Sequence, residues 1–191
     1  MARIETVEEF AAGATPAQAA VFAVACAERA AAILFWVVSQ DDRADDLDVY
    51  KSALDVLWGS GEPMPEQAAA ARERIVGLQE LTVGDEATGA RAFAYQAAVA
   101  LYTALGVYAE GRERTIMGCS STLRNFAFRL GRRCGADLLT DESESQLRDV
   151  ADLTKTVDQG LRQAELVRER SVVVGRHWLA LASERFGRNP A

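Results

Sequence analysis

Two adjacent charges, Glu28 and Arg29, stand inside an otherwise apolar run from Ala17 to Val38. On a helix, neighbouring side chains point about 100° apart, so at least one of the two must face the core. A buried charge has to be paired, because leaving it alone costs several kcal/mol. Asp55, between Leu54 and Trp58 in the next periodic segment, is the natural carboxylate for Arg29. Such a pair has two readings. It is a structural ion pair that fixes two helices, or it is the polar floor of a pocket that holds a ligand or a partner's side chain. Tyr50, Trp58, Tyr95 and Tyr102 would wall that pocket. The candidate ligand- or partner-binding residues are therefore Glu28, Arg29, Tyr50, Asp55, Trp58, Tyr95 and Tyr102.

Other chemistries find less support. The chain has one histidine, His177, and Val174 stands three residues before it. A bundle di-iron site needs Glu-x-x-His pairs, which that spacing does not supply. HExxH, GxSxG and a Walker A run are all missing. The acidic run Asp41-Asp42-Arg43-Ala44-Asp45-Asp46-Leu47-Asp48 offers no frame for a calcium loop and reads as helix-start acids. His177 as a base for Cys119, Cys134, Ser120 or Ser121 would need a long-range meeting. Its neighbours at helical spacing, Val173, Val174 and Leu181, read it as a packed or half-exposed structural residue. No catalytic residue, no metal site and no cofactor is assigned.

The elements that must position these residues are helical throughout. Of the 191 residues, 35 are alanine and only 4 are proline. Alanine favours helix, while Gly, Pro and Asp punctuate the chain. A short helix is predicted over Ile4–Phe10, ending near Gly13. Thr15, Pro16 and Gln18 form a capping box for a second helix to about Ser39. Asp45 or Asp46 would cap a third, to Trp58, with Leu47, Tyr50, Leu54, Leu57 and Trp58 inward. Pro63 and Pro65 open a fourth, to about Leu81. Gly84-Asp85 caps a fifth, to about Glu110, with Phe93, Ala97, Ala100, Leu101, Ala104 and Tyr108 on its stripe. Gly111 starts a sixth, which Gly135 ends near Cys134. From Thr140 or Asp141 the residues Leu147, Val150, Thr154, Val157, Leu161 and Ala164 recur at helical spacing, as one bent helix or two. The fold class is all-α: a single domain over 1–191, a compact bundle of about six to seven helices.

Charge and cysteine usage bound the setting. The net charge of −7 divides into −10 over residues 1–111 and +3 over 112–191. That asymmetry fits a protein partner, another chain or a second copy, better than a phosphate backbone. The arginines at 124, 129, 132 and 133 are too few and too mixed for a nucleic-acid stripe. Glu28 and Arg29 also argue against a membrane span in the Ala17–Val38 run. Three cysteines without a CxxC pair, and an acidic N-terminus without a signal pattern, point to free thiols in the cytoplasm.

The segments Phe22-Ala23-Val24-Ala25-Cys26-Ala27-Glu28-Arg29, Phe35 and Tyr50-Lys51-Ser52-Ala53-Leu54-Asp55-Val56-Leu57-Trp58 carry a resemblance. A Cys-x-Glu-Arg step followed by Leu-Asp-x-x-Trp resembles the YjaG-like family of bacterial all-helical proteins of unknown function. The likeness continues weakly through Ala100–Tyr108, Ser120–Ala127 and Phe186-Gly187-Arg188-Asn189. The Pro-containing loop at 62–65 and the lack of an Asn-Ile-Gly ending depart from it. The resemblance implies a compact helical bundle and no established reaction. A looser similarity runs to the all-helical immunity proteins of bacterial toxin systems. The function expected is a non-enzymatic protein-interaction module, such as an immunity-like inhibitor. The alternatives are a small-molecule-binding protein or enzyme with a pocket near Arg29 and Asp55, or a self-associating structural protein.

Overall fold

The computed structural model describes residues 5–59, 65–83, 87–155 and 160–187. Among them are nine α-helices, eight of at least seven residues. They are α1 (Val7–Gly13), α2 (Pro16–Gln40), α3 (Ala44–Trp58), α4 (Pro65–Val76), α5 (Gln79–Val83), α6 (Gly89–Leu105), α7 (Arg112–Cys134), α8 (Leu138–Leu153) and α9 (Gly160–Phe186), with a 3-10 turn at Gly106–Tyr108. The all-α class holds, but the expected six to seven helices must be corrected to nine. Two breaks account for the difference. Gly77 and Leu78 interrupt the helix that was to run on to Leu81, leaving α4 and α5. The last region is two helices, since α8 closes at Thr154, whose hydroxyl bonds to the Val150 carbonyl at 2.8 Å.

Local signals set most of the remaining boundaries. Thr15 accepts from the Gln18 amide at 3.2 Å and the Gln18 side chain accepts from the Thr15 amide at 2.8 Å, the reciprocal box that starts α2. Gly135, in the left-handed region at φ 73°, ends α7, and the Ala136 amide bonds back to the Gly131 carbonyl at 3.0 Å. Four starts differ from expectation: α1 begins at Val7 behind Thr6 and not at Ile4, α6 begins at Gly89 behind Thr88 and not behind Gly84-Asp85, and α3 and α8 shift as well. The cap position of α3 is Arg43, with Asp45 and Asp46 in its first turn, where they face the positive helix end. In α8 the cap is Asp137, which accepts from the Thr140 amide. The residues Ile4, Pro63, Gly84, Asp85 and Val157 and the tail at Arg188-Asn189 lie outside the described residues.

Helix α2 is the axis. It packs against α3, α6, α7, α8 and α9. It is long and apolar enough to cross a membrane, yet 72% of its most apolar window is buried inside the bundle. Fifteen of its residues are buried, among them Phe22, Cys26, Ile33, Val37 and Arg29. Alanines let neighbouring helices approach this axis closely. One close approach is that of α9 at Gly175, where a Cβ would meet the Arg29 carbonyl oxygen at 3.0 Å and that of Glu28 at 3.2 Å. The aromatic part of the core lies between α6, α7 and α9. There Phe126 stacks on Trp178 with centroids 5.5 Å apart, and Phe93 meets Phe126 edge-on at 5.6 Å.

Candidate functional site

Arg29 is fully buried, and its partners come from the far end of the chain. The Glu142 carboxylate accepts from Nε at 2.8 Å and from Nη2 at 2.9 Å, a fork-to-fork pair. Asp149 accepts from Nη1 at 2.7 Å, and Ser171 Oγ stands 3.3 Å from the same nitrogen. The network extends on both sides. Gln146 donates to Glu142 at 2.7 Å and to the Ser120 carbonyl at 3.2 Å, and accepts from the Ser120 hydroxyl at 2.6 Å. Arg170 donates to the second oxygen of Asp149 at 2.6 Å and to Asp152 at 2.9 Å. Glu142, Asp149 and Ser171 are as fully buried as Arg29.

Burial alone would depress the Arg29 guanidinium. Glu142 and Asp149 overcome that and hold it above its ordinary value, so it stays charged. Burial pushes the Glu142 carboxyl above the usual range, against the pull of Arg29 and Gln146. None of the side chains of this centre leaves a buried polar atom without a hydrogen-bond partner. Arg29 has no solvent exposure and lines none of the four grooves described at this molecule's surface. The arrangement therefore clamps α2, α8 and α9 together.

Asp55 does not meet Arg29. It is exposed on α3 and, among the described residues, pairs only with Arg168, at 3.5 Å. The physical reason is the facing of α3. Its inward stripe is Tyr50, Ala53, Leu54 and Leu57, and Asp55 falls on the opposite side. The neighbour Glu28 does reach α3, where its carboxylate accepts from Trp58 Nε1 at 2.7 Å. Arg168 of α9 covers the Trp58 ring at 5.4 Å from its centroid. Glu28, Asp55 and Trp58 thus share one surface corner, with Arg168 added.

The tyrosines lie elsewhere. Tyr50 donates to Glu80 at 2.7 Å inside a second polar cluster, in which Arg43 pairs with Glu80 and with Asp46. Burial and Glu80 hold the Tyr50 phenol well above its usual range. Burial raises the Glu80 carboxyl, but the bonds from Arg43 and Tyr50 outweigh it, and the group sits below its ordinary value. Tyr95 borders a small cavity of about 210 Å³ with Asp41, Glu80 and Arg91. Tyr102 lies under the Arg72 guanidinium, 4.0 Å from the ring centroid, and Arg72 also pairs with Glu110.

Sequence reasoning missed Glu142, Gln146 and Asp149. It followed the apolar residues of α8, of which Val150 is buried but Leu147 is exposed, whereas the buried face also carries Leu138, Glu142, Ser145, Gln146, Asp149 and Leu153. The signal was there as polar residues at 3,4 spacing between two leucines. His177 is exposed on α9, whereas Cys119 and Ser120 are buried. Burial pushes the Cys119 thiol up to about 12, which leaves it protonated and unreactive. Among the described residues no group of three or more His, Cys, Asp or Glu side chains could hold a metal ion. Comparison of the chain with protein-family models, with curated proteins and with solved structures finds no match.

Proposed function

We propose that this all-helical protein is a non-enzymatic protein-interaction module of the bacterial cytoplasm, and that the Trp58 corner is its contact surface. One observation carries the reading. A half-buried tryptophan is held in place by a charged partner on its ring nitrogen and another on its ring face. Trp and Arg supply most interface hot spots, and a side chain already fixed loses little freedom on binding. The exposed carboxylates of α3 are Asp55 at this corner and, about 15–20 Å nearer the helix start, Asp48 and Asp45. A basic partner is the complement, and steering by these charges makes association fast and salt-sensitive. An inhibitor of a basic toxin would have this profile. The resemblance of α2 and α3 to the YjaG-like family belongs to the same reading, because its motifs are the Glu28 and Trp58 segments.

The test places a photo-crosslinking residue at Lys51, which is exposed on α3, in the native host. One discrete covalent partner is expected. It should disappear when Trp58→Phe and Arg168→Ala are combined, with the melting temperature retained. A product that survives both substitutions, or none at all, overturns the reading. A product of twice the chain mass overturns it in favour of self-association.

A further inference from the structure

A second surface carries chemistry that the Trp58 corner does not use. Between the start of α6, the outer side of α7 and the end of α9 lies a groove of about 560 Å³. That is within the size range of small-molecule sites, roughly 300–1,000 Å³. Its floor is aromatic. Phe93 and Phe186 lie 5.7 Å apart, and Phe93 is itself braced by Phe126. Phe128 stands at the rim with 46% of its surface exposed, a large apolar side chain left in solvent.

The wall is cationic. Arg129, Arg132 and Arg133 line the groove from α7. None of the three takes part in an ion pair among the described residues, and no described carboxylate lines the groove. The Arg132 guanidinium lies 5.8 Å from the Phe128 centroid, so charge and ring form one edge. Opposite them Thr88 makes no side-chain cap for α6, and Gly89 takes the left-handed φ of 58° there. The positive end of α6 adds partial positive charge to the same space.

We infer that this groove binds a small organic anion, a carboxylate, sulfonate or phosphate carried on an aromatic or aliphatic body. The arginines take the anion and the phenylalanines take the body. A long polyanion fits less well, because the chain's −7 charge repels it at range while one small anion feels only the local arginines. The inference is independent of the Trp58 corner and can fail or stand without it.

The probe is 8-anilinonaphthalene-1-sulfonate, whose fluorescence rises on entering an apolar site. Saturable binding is expected, weakening as salt rises from about 50 to about 500 mM. Arg132→Ala with Arg133→Ala should weaken it about tenfold or more, about 1.4 kcal/mol. Phe128→Ala should also weaken it, and Arg124→Ala, on the same helix outside the groove, should not. All four positions are exposed, so the variants keep the fold. Uptake of neutral N-phenyl-1-naphthylamine at the same affinity, or indifference to the arginine substitutions, overturns the proposal. So does binding that needs Asp85→Asn with Glu86→Gln, since the chain's own carboxylates would then own the arginines. Competition by inorganic phosphate at equal concentration would reduce the site to an anion site without a body pocket and overturn it as stated.

Discussion

Replacing Arg29 by methionine removes the one cation shared by two carboxylates that have no solvent exposure. Asp149 keeps Arg170 as a partner, but Glu142 keeps only the Gln146 amide. Breaking a buried pair from one side costs about 3–5 kcal/mol. The protein has an escape, which is to protonate Glu142. That escape costs about 1.36 kcal/mol for every pH unit above the unfolded carboxyl value of about 4.3. It amounts to about 3.7 kcal/mol at pH 7 and about 1 kcal/mol at pH 5. A carboxyl raised in the folded state leaves the protein most stable at low pH and penalises it as pH rises through the folded value. The gap between wild type and Arg29→Met should therefore be about 3–4 kcal/mol at pH 7 and close by up to about 2.7 kcal/mol at pH 5. Urea unfolding followed by far-ultraviolet circular dichroism measures both. Arg112→Met is the reference, because Arg112 is exposed and donates only to the Ala14 carbonyl at 3.0 Å. It should lose about 1 kcal/mol or less at either pH. Equal midpoints for the two variants, or a gap that ignores pH, would refute the reasoning.

Three further outcomes follow from other parts of the molecule. The Glu80 carboxyl is lowered on folding, so its contribution is present above about pH 4.3 and is lost as pH falls through the folded value. Glu80→Gln should lose about 1–3 kcal/mol at pH 7 and show a shallower acid limb, read by thermal melts from pH 7 to 3. Gly175→Ala drives a methyl against the α2 carbonyls and should lose about 1–3 kcal/mol, whereas Gly13→Ala, with open space at its Cβ, should lose nothing comparable in the same urea titration. In the native protein a thiol reagent at pH 8 should label the half-buried Cys134 first and leave Cys26 and Cys119 until unfolding; simultaneous labelling of all three would contradict their burial.

What the sequence determined by itself is local. The alanine content and 3,4 periodicity set the helical class, the Thr15 box and Gly135 set two helix ends, and at least one of Glu28 and Arg29, charged in an apolar run, had to face the core and find a partner. These follow from backbone hydrogen bonding, side-chain sterics and the free energy of a buried charge, all of which act within a few residues. The break at Gly77 is not legible locally, since a single glycine in a helical pattern is often tolerated. The tertiary structure alone decided who answers Arg29. Asp55, 26 residues away and periodic, lost to Glu142 and Asp149, which lie 113 and 120 residues away. That outcome depends on which face α3 turns inward and on how closely α9 and α8 dock over α2. Likewise only the docking of α6, α7 and α9 brings three arginines, three phenylalanines and the start of α6 around one groove. Charge and apolar spacing say that a buried ion needs a partner. The relative placement of helices, fixed by the packing of the whole core, says which one it gets.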